Sequence, residues 1–266
     1  MSRFADVDET QLHGGIGNAG RVVRVGETVR RPWRSSTPAT HTLLGHLNQV
    51  LPGVAPVPLG RDDRGREVLS WLDGEVAIEP FPRWVTGERF LTSLGQLLRR
   101  IHDALAEWSP SPGLAWSDQI PDPHGGPLIV HADVCPENVI TRDGLAVAVI
   151  DWEFAAPGRR IWDVVSTARL CVPFTAPERR DPVYDGLDVI ARLRILLDAY
   201  GLEDADRAAF TEVLDQRRIA GEQFVRRRIA LGETAFAERW ATAEGERRMG
   251  LERHWVGAVP PGVALR

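Results

Sequence analysis

The chain has 266 residues, 43% hydrophobic and 26% charged, which describes an ordinary globular protein of one large domain or two lobes. Its net charge of −5 weighs against a nucleic-acid or anionic-membrane partner. No apolar run approaches the roughly 18 residues of a spanning helix, and Met1-Ser2-Arg3-Phe4-Ala5-Asp6 lacks the apolar centre of a signal peptide.

In chain order, Leu12 to Gly20 reads as a glycine-rich loop. Residues 21–25 and 28–31 flank Gly26-Glu27 as a hairpin, and Pro32 ends its second strand. Thr37 as N-cap and Pro38 at the first position predict a helix, with Leu43, Leu44, Leu47 and Leu51 on one face. Two more strands follow, near residues 57–59 and 67–71, joined by the polar turn Asp62-Asp63-Arg64-Gly65. Residues 72–82 read as a linker. A long helix over residues 86–108 takes Thr86 as its cap and buries Phe90, Leu91, Leu94, Leu97, Leu98, Ile101 and Leu105.

Leu128-Ile129-Val130 is a short apolar strand that leads into His131. Val139-Ile140-Thr141 and Ala146-Val147-Ala148-Val149-Ile150 flank Asp143-Gly144, a strong hairpin signal. With those two as the turn, Thr141 pairs with Ala146 and Asn138 lies opposite Val149. Asn138 and Asp151 then share the open end of one ribbon, which suits two oxygen ligands on one metal ion. Helical segments follow near 160–172, 183–200 and 204–249, the last broken around Gly232. The plan is α+β and bilobal. Residues 1–72 form a small antiparallel-sheet lobe with one helix and a hinge. Residues 73–266 form a larger, mostly helical lobe, with a ligand expected between the two.

Asp133, Asn138 and Asp151 are the residue types that phosphoryl transfer needs. One Asp accepts a proton from a hydroxyl, while the Asn and the second Asp hold Mg²⁺ against ATP phosphates. All 32 basic residues are Arg, so no lysine can grip phosphate here. Compositional bias of a GC-rich genome accounts for that. Only Cys135 and Cys171 occur, too few for a disulfide framework, which points to a reducing cytoplasm.

His131-x-Asp133-x-x-Pro136-x-Asn138-Val139-Ile140 is followed by Val149-Ile150-Asp151-Trp152-Glu153. Pro157-Gly158-Arg159-Arg160-Ile161-Trp162-Asp163-Val164 then completes the pattern. This series resembles the aminoglycoside phosphotransferase family, small-molecule kinases that share the protein-kinase fold, and the resemblance covers nearly the whole chain in order. It implies that Asp133 is the catalytic base, that Asn138 and Asp151 are Mg²⁺ ligands, and that Asp163 hydrogen-bonds the catalytic loop. His131 matches a residue more structural than chemical. The resemblance also makes Glu67 to Leu72 the hinge, where backbone groups of Ser70, Trp71 and Leu72 meet adenine. Residues 14–20, among them Gly15, Gly17 and Asn18, would cover the phosphates through backbone N–H groups.

The departures are specific. Cys135 stands where the family usually has His and reads as an inert loop cysteine, since no His–Asn partner accompanies it. Glu137, in place of a small residue, reads as a solvated carboxylate or a contact to substrate or metal; Glu153 carries the same alternatives. The phosphate-gripping cation falls in Val29-Arg30-Arg31-Pro32. Arg30 is the first candidate and Arg31 the alternate, on opposite faces of the strand. Kinases pair this cation with a helix Glu, yet no Asp or Glu occurs from residue 28 to 61, so that ion pair is expected to be missing. His41 is the nearest polar stand-in, with packing or surface the preferred reading. His102 reads as a packing histidine. Arg217-Arg218 and Arg226-Arg227-Arg228 read as a solvated helix face, or as help in binding an anionic substrate.

The implied activity is ATP- and Mg²⁺-dependent transfer of the γ-phosphoryl group to a hydroxyl of a small molecule, either an antibiotic of aminoglycoside type or a natural-product or metabolite acceptor. The alternatives are a pseudokinase-like nucleotide-binding regulator, or the same chemistry with GTP. No nucleic acid or membrane partner is expected, and the sequence leaves the oligomeric state open.

Overall fold

Strand β1 (Glu9–Gln11) pairs antiparallel with β2 (Val23–Val25), which turns through Gly26 into β3 (Thr28–Arg31). Gly26 sits at φ +56°, a conformation that glycine adopts without steric cost. The computed structural model describes residues 8–12 and 20–265. Helix α1 (Thr37–Val50) starts one residue earlier than its sequence signal. Ser36 is the N-cap, and Thr37 lies inside the first turn, where its hydroxyl accepts a hydrogen bond from the Arg34 N–H at 2.9 Å. Strands β4 (Pro58–Arg61) and β5 (Glu67–Ser70) complete a five-stranded antiparallel sheet in the order β1-β2-β3-β5-β4.

Helix α2 (Glu88–Ala106) is capped by Gly87 rather than Thr86, which belongs to a short 3-10 turn, Arg83–Thr86. Its apolar stripe faces α4 (Val189–Tyr200), and Gly95 packs close against it. Strand β6 (Leu128–Val130) precedes the hairpin of β7 (Val139–Arg142) and β8 (Leu145–Val149), and β9 (Ala156–Gly158) returns to pair with β6. Helix α3 (Arg160–Cys171) follows β9, and α5 (Asp204–Ala230) follows α4. The long helical stretch breaks at Gly232 (φ +78°) before α6 (Thr234–Trp240), and breaks again before α7 (Ala243–Ala258).

One main core joins the sheet lobe's helix to the helical lobe. Leu43, Leu44 and Leu47 of α1 belong to the same buried cluster as Leu94 and Leu98 of α2, Trp162 of α3 and Leu214 of α5. The segments that flank β4 and β5 are also stitched to the β7–β8 hairpin by backbone bonds. Val149 N–H donates to the Val54 carbonyl at 2.9 Å, and Glu75 bridges Thr141. The cleft between sheet and helices therefore has a fixed floor. Among the described residues no helix is long and apolar enough to cross a membrane.

Candidate active site

The floor of the cleft is the loop between β6 and β7. Ala132 adopts φ +66°, uncommon for a residue with a Cβ, and this turn sets the direction of Asp133. Asp163, at the start of α3, holds the turn from behind. One of its oxygens accepts from the His131 N–H at 2.8 Å and the other from the Ala132 N–H at 2.7 Å. His102 of α2 bonds the same carboxylate at 3.1 Å, and the Tyr200 hydroxyl at 2.8 Å. Burial pushes Asp163 up, yet His102, His131 and the backbone donors outweigh it and hold the carboxyl below its ordinary range.

His131 is an internal strut. Its Nε2 meets the Ile150 carbonyl at 2.9 Å, and its Nδ1 faces the Asp133 N–H at 3.2 Å. The first contact requires a proton on Nε2 and the second a lone pair on Nδ1, so the ring is neutral. Burial, which lowers its proton affinity, agrees.

The Asp133 carboxylate has no ion-pair or hydrogen-bond partner among the described residues. Desolvation raises its pKa to about 7; Arg217 opposes the rise, while Asp151 and Glu137 add to it. A carboxylate so placed is matched to taking a proton near neutral pH. Cys135, two residues on, is pushed well up by burial and by Asp133 and Glu137, so its thiol stays protonated and is no nucleophile.

The β7–β8 hairpin brings the next groups in. Asp143 (φ +52°) and Gly144 (φ +73°) form the two-residue turn with both φ values positive. Thr141 pairs with Ala146 as the turn demands, but a bulge beyond it shifts the register. Val139, not Asn138, therefore lies opposite Val149, and the Asn138 carbonyl accepts from the Ile150 N–H at 2.9 Å. The two ends stay together despite the shift. Asn138 Nδ2 donates to the Asp133 carbonyl at 2.9 Å, which leaves its amide oxygen for a cation. Asp151 is left-handed at φ +62° and half-buried. Among the described residues no three His, Cys, Asp or Glu side chains converge on a self-sufficient metal cage. A cation gripped mainly by phosphate oxygens needs only one or two protein oxygens, and this hard-oxygen pair fits that demand.

From above, β3 contributes the cation. Arg31 stands opposite Glu67 in the β3–β5 register, and its guanidinium is bound by both Glu67 and Asp151. Burial disfavours its charge, but the two carboxylates more than offset that and raise its proton affinity. His41 of α1 bonds the other oxygen of Glu67 at 2.9 Å. Arg30 points to the opposite face and lies 3.6 Å from Asp62. Two residues after Asp151, Glu153 meets Arg34 at 3.0 Å, a second link between the sheet side and the helical side.

This geometry has known relatives. The fold matches the amicoumacin kinase hAmiN in complex with AMP-PNP, Ca²⁺ and Ami, with a TM-score of 0.65 at 13% identity over 95% of this chain and 89% of that one. It also matches a choline/ethanolamine kinase family protein from Mesorhizobium loti, with a TM-score of 0.57 at 16% identity over 93% of each chain. In sequence, the chain is 36% identical over 220 residues to a trifolitoxin immunity protein of Rhizobium leguminosarum bv. trifolii, covering 78% of this chain and 79% of that protein. Residues 114–210 match the model of the phosphotransferase enzyme family, APH.

The chain belongs to the APH phosphotransferase family.

With that assignment the bilobal architecture is the protein-kinase-like fold of the APH enzymes. Several expectations for this APH chain change in detail. Gly15, Gly17 and Asn18 lie outside the described residues. At the hinge, Ser70 N–H is taken by the Val57 carbonyl and Trp71 N–H by Glu27, both at 2.9 Å. The order of the two arginines reverses, because strand alternation aims Arg31 into the cleft and Arg30 away from it. The helix α1 carries no acid, as expected, but the cation is not left without one: Glu67 of β5 pairs with Arg31, and His41 couples the helix to it. His102 is no packing histidine but part of the Asp163 network. Arg217 is buried behind the β6–β7 loop and not on a solvated face. Arg226, by contrast, pairs with Glu222 at the surface.

Residue patterns carried little sign of Glu67, His102 or Arg217. The one usable signal was register, since antiparallel pairing of residues 28–31 with 67–70 sets Arg31 against Glu67.

Proposed function

We propose that this protein is a nucleotide- and Mg²⁺-dependent O-phosphotransferase that moves the γ-phosphoryl group of ATP to a hydroxyl of a small molecule. The observation that carries the reading is the convergence of Asp133, Asn138 and Asp151 beneath a single buried arginine, Arg31. Asp133 takes the proton from the acceptor hydroxyl as its oxygen attacks phosphorus and the bond to the β-phosphate oxygen breaks. Asn138 and Asp151 would hold the cation, which when bound neutralises phosphate charge. Arg31 is placed to exchange part of its grip on Asp151 for the phosphates, while Glu67 and His41 keep it aimed. Phosphoryl transfer needs positioning and charge stabilisation above all, and these side chains supply both.

Glu137, beside Asp133, is the better candidate for an acceptor contact, because Glu153 is engaged by Arg34. The regulatory, non-catalytic alternative drew on the missing lysine and the missing helix acid, and the buried Arg31–Glu67 pair weakens the second of these grounds. The immunity-protein relative supports a role in protection against an antimicrobial compound. The nucleotide base stays with adenine, with GTP as the competing donor.

The test is ADP release from Mg²⁺-ATP, and GDP release from Mg²⁺-GTP, against a panel of hydroxylated antimicrobials and metabolites. Release stimulated by an acceptor and lost in Asp133→Asn supports the reading. Nucleotide binding with no turnover on any acceptor would return the regulatory alternative.

A further inference from the structure

Arg217 of α5 is 3% exposed and forms no salt bridge among the described residues. Its Nη2 donates to the Ala132 carbonyl at 3.1 Å, and its Nε to the Ser166 hydroxyl at 3.3 Å. Ser166 donates to the same Ala132 carbonyl at 3.1 Å. Three of the four polar groups of the two peptide planes around Ala132 are therefore held, together with the His131 N–H that precedes them. Asp163 takes the His131 and Ala132 N–H groups, His131 takes the Asp133 N–H, and Arg217 with Ser166 takes the Ala132 carbonyl.

Burying an unpaired cation is costly, and in an ordinary core position a well-packed Met would be as stable or more so. The compensation here is electrostatic, because Asp133 and Asp163 both act to keep Arg217 charged against the desolvation that lowers its pKa to about 10. An alanine at φ +66° also needs external restraint, since its own sterics disfavour that conformation. The restraint and the cost meet at one carbonyl.

We propose that Arg217 is a positioning residue for phosphoryl transfer, locking the Ala132 carbonyl so that the left-handed turn aims Asp133 at the acceptor hydroxyl. This rests on the reading of Asp133 as proton acceptor.

The test uses Arg217→Met alone and with Ala132→Gly, because glycine holds φ > 0 without restraint. Amide hydrogen exchange is followed over residues 131–135, together with steady-state ADP release on the best acceptor of the panel. In Arg217→Met, exchange in that segment rises about tenfold, as one lost hydrogen bond allows, and the rest of the chain is unchanged. Its kcat falls about 100-fold, the scale of a small misplacement of a reacting group, while the KM for ATP stays within about twofold. Adding Ala132→Gly restores most of the kcat. A glycine variant that rescues nothing, or an Arg217→Met enzyme with unchanged kcat and exchange, overturns the proposal. Should Arg217→Met fail to fold, Arg217→Lys is measured in the same way, with an intermediate loss expected and full wild-type behaviour counting against the idea. If the wild type transfers no phosphoryl group at all, the functional reading fails, and exchange over residues 131–135 still decides the clamp.

Discussion

Arg31 and Glu67 face each other across two paired strands and form a buried ion pair, with Glu67 only 1% exposed. Neither is on the helix that packs over the sheet; that helix reaches the pair through His41. The arginine is thus anchored by its neighbouring strand and is free to face Asp151 with its other nitrogen.

Arg31→Met should lower kcat/KM for the nucleotide by about 100-fold, since it removes a cation placed in a partly desolvated cleft. Arg31→Lys should retain part of the activity, because a single ammonium cannot span Glu67 and the phosphates as the guanidinium fork does. Titration of ADP release against ATP concentration measures both. Equal activity in all three proteins would show that the phosphates are gripped elsewhere.

Glu67→Gln should destabilise the fold by about 3 kcal/mol at neutral pH, because it leaves a buried guanidinium short of charge. Burial pushes Glu67 up, but the His41 hydrogen bond and Arg31 outweigh it, so its carboxyl titrates below the ordinary 4.5. Stability from such a group is full above 4.5 and is lost as pH falls through the lower folded value. Thermal melts of wild type and variant should therefore differ most at neutral pH and converge in acid. A gap that widens on acidification would contradict this sign.

Asp133→Asn should reduce acceptor-dependent ADP release by about 10²- to 10⁴-fold, the usual worth of a positioned general base. Nucleotide affinity, followed by thermal shift with Mg²⁺-ATP, should stay close to wild type. A weak variant that also fails to bind ATP would assign Asp133 to the nucleotide and not to the acceptor.

Asp163→Asn should cost about 3 kcal/mol, because one buried carboxylate satisfies two backbone N–H groups and His102. Tyr200→Phe removes only the far end of the same chain and should cost about 1 kcal/mol. Urea denaturation distinguishes the two. The reverse ranking would place the anchor of the catalytic loop at Tyr200.

Gly95→Ala sets two effects against each other. Alanine favours a helix over glycine by about 1 kcal/mol. A Cβ here would lie 2.8 Å from the Leu196 carbonyl and 2.9 Å from the Ala199 Cβ, so α2 and α4 must separate, at about 1–3 kcal/mol. Packing should win, and the melting temperature should fall. A rise would mean that the two helices can shift apart freely.

What the sequence determined by itself is local. Asp143-Gly144 specified its hairpin because both turn positions need positive φ, and that ribbon carried Asn138 and Asp151 to one end whatever its exact register. The apolar spacing of α2, the break at Gly232 and the clustering of Asp133 with Asn138 were legible for the same reason. Torsional preference and periodicity act over a few residues.

Tertiary structure alone decided the partners. The bulge in β7–β8, the acid that meets Arg31, the choice of Arg31 over Arg30, and the burial of His102 and Arg217 all depend on contacts between residues far apart in the chain. Arg217 sits in a charged stretch that reads as solvated, and only the packing of α5 against α3 turns it inward. A side chain's charge is written in the sequence, but what neutralises it is set by which strands pair, in which register, and which helix closes over them.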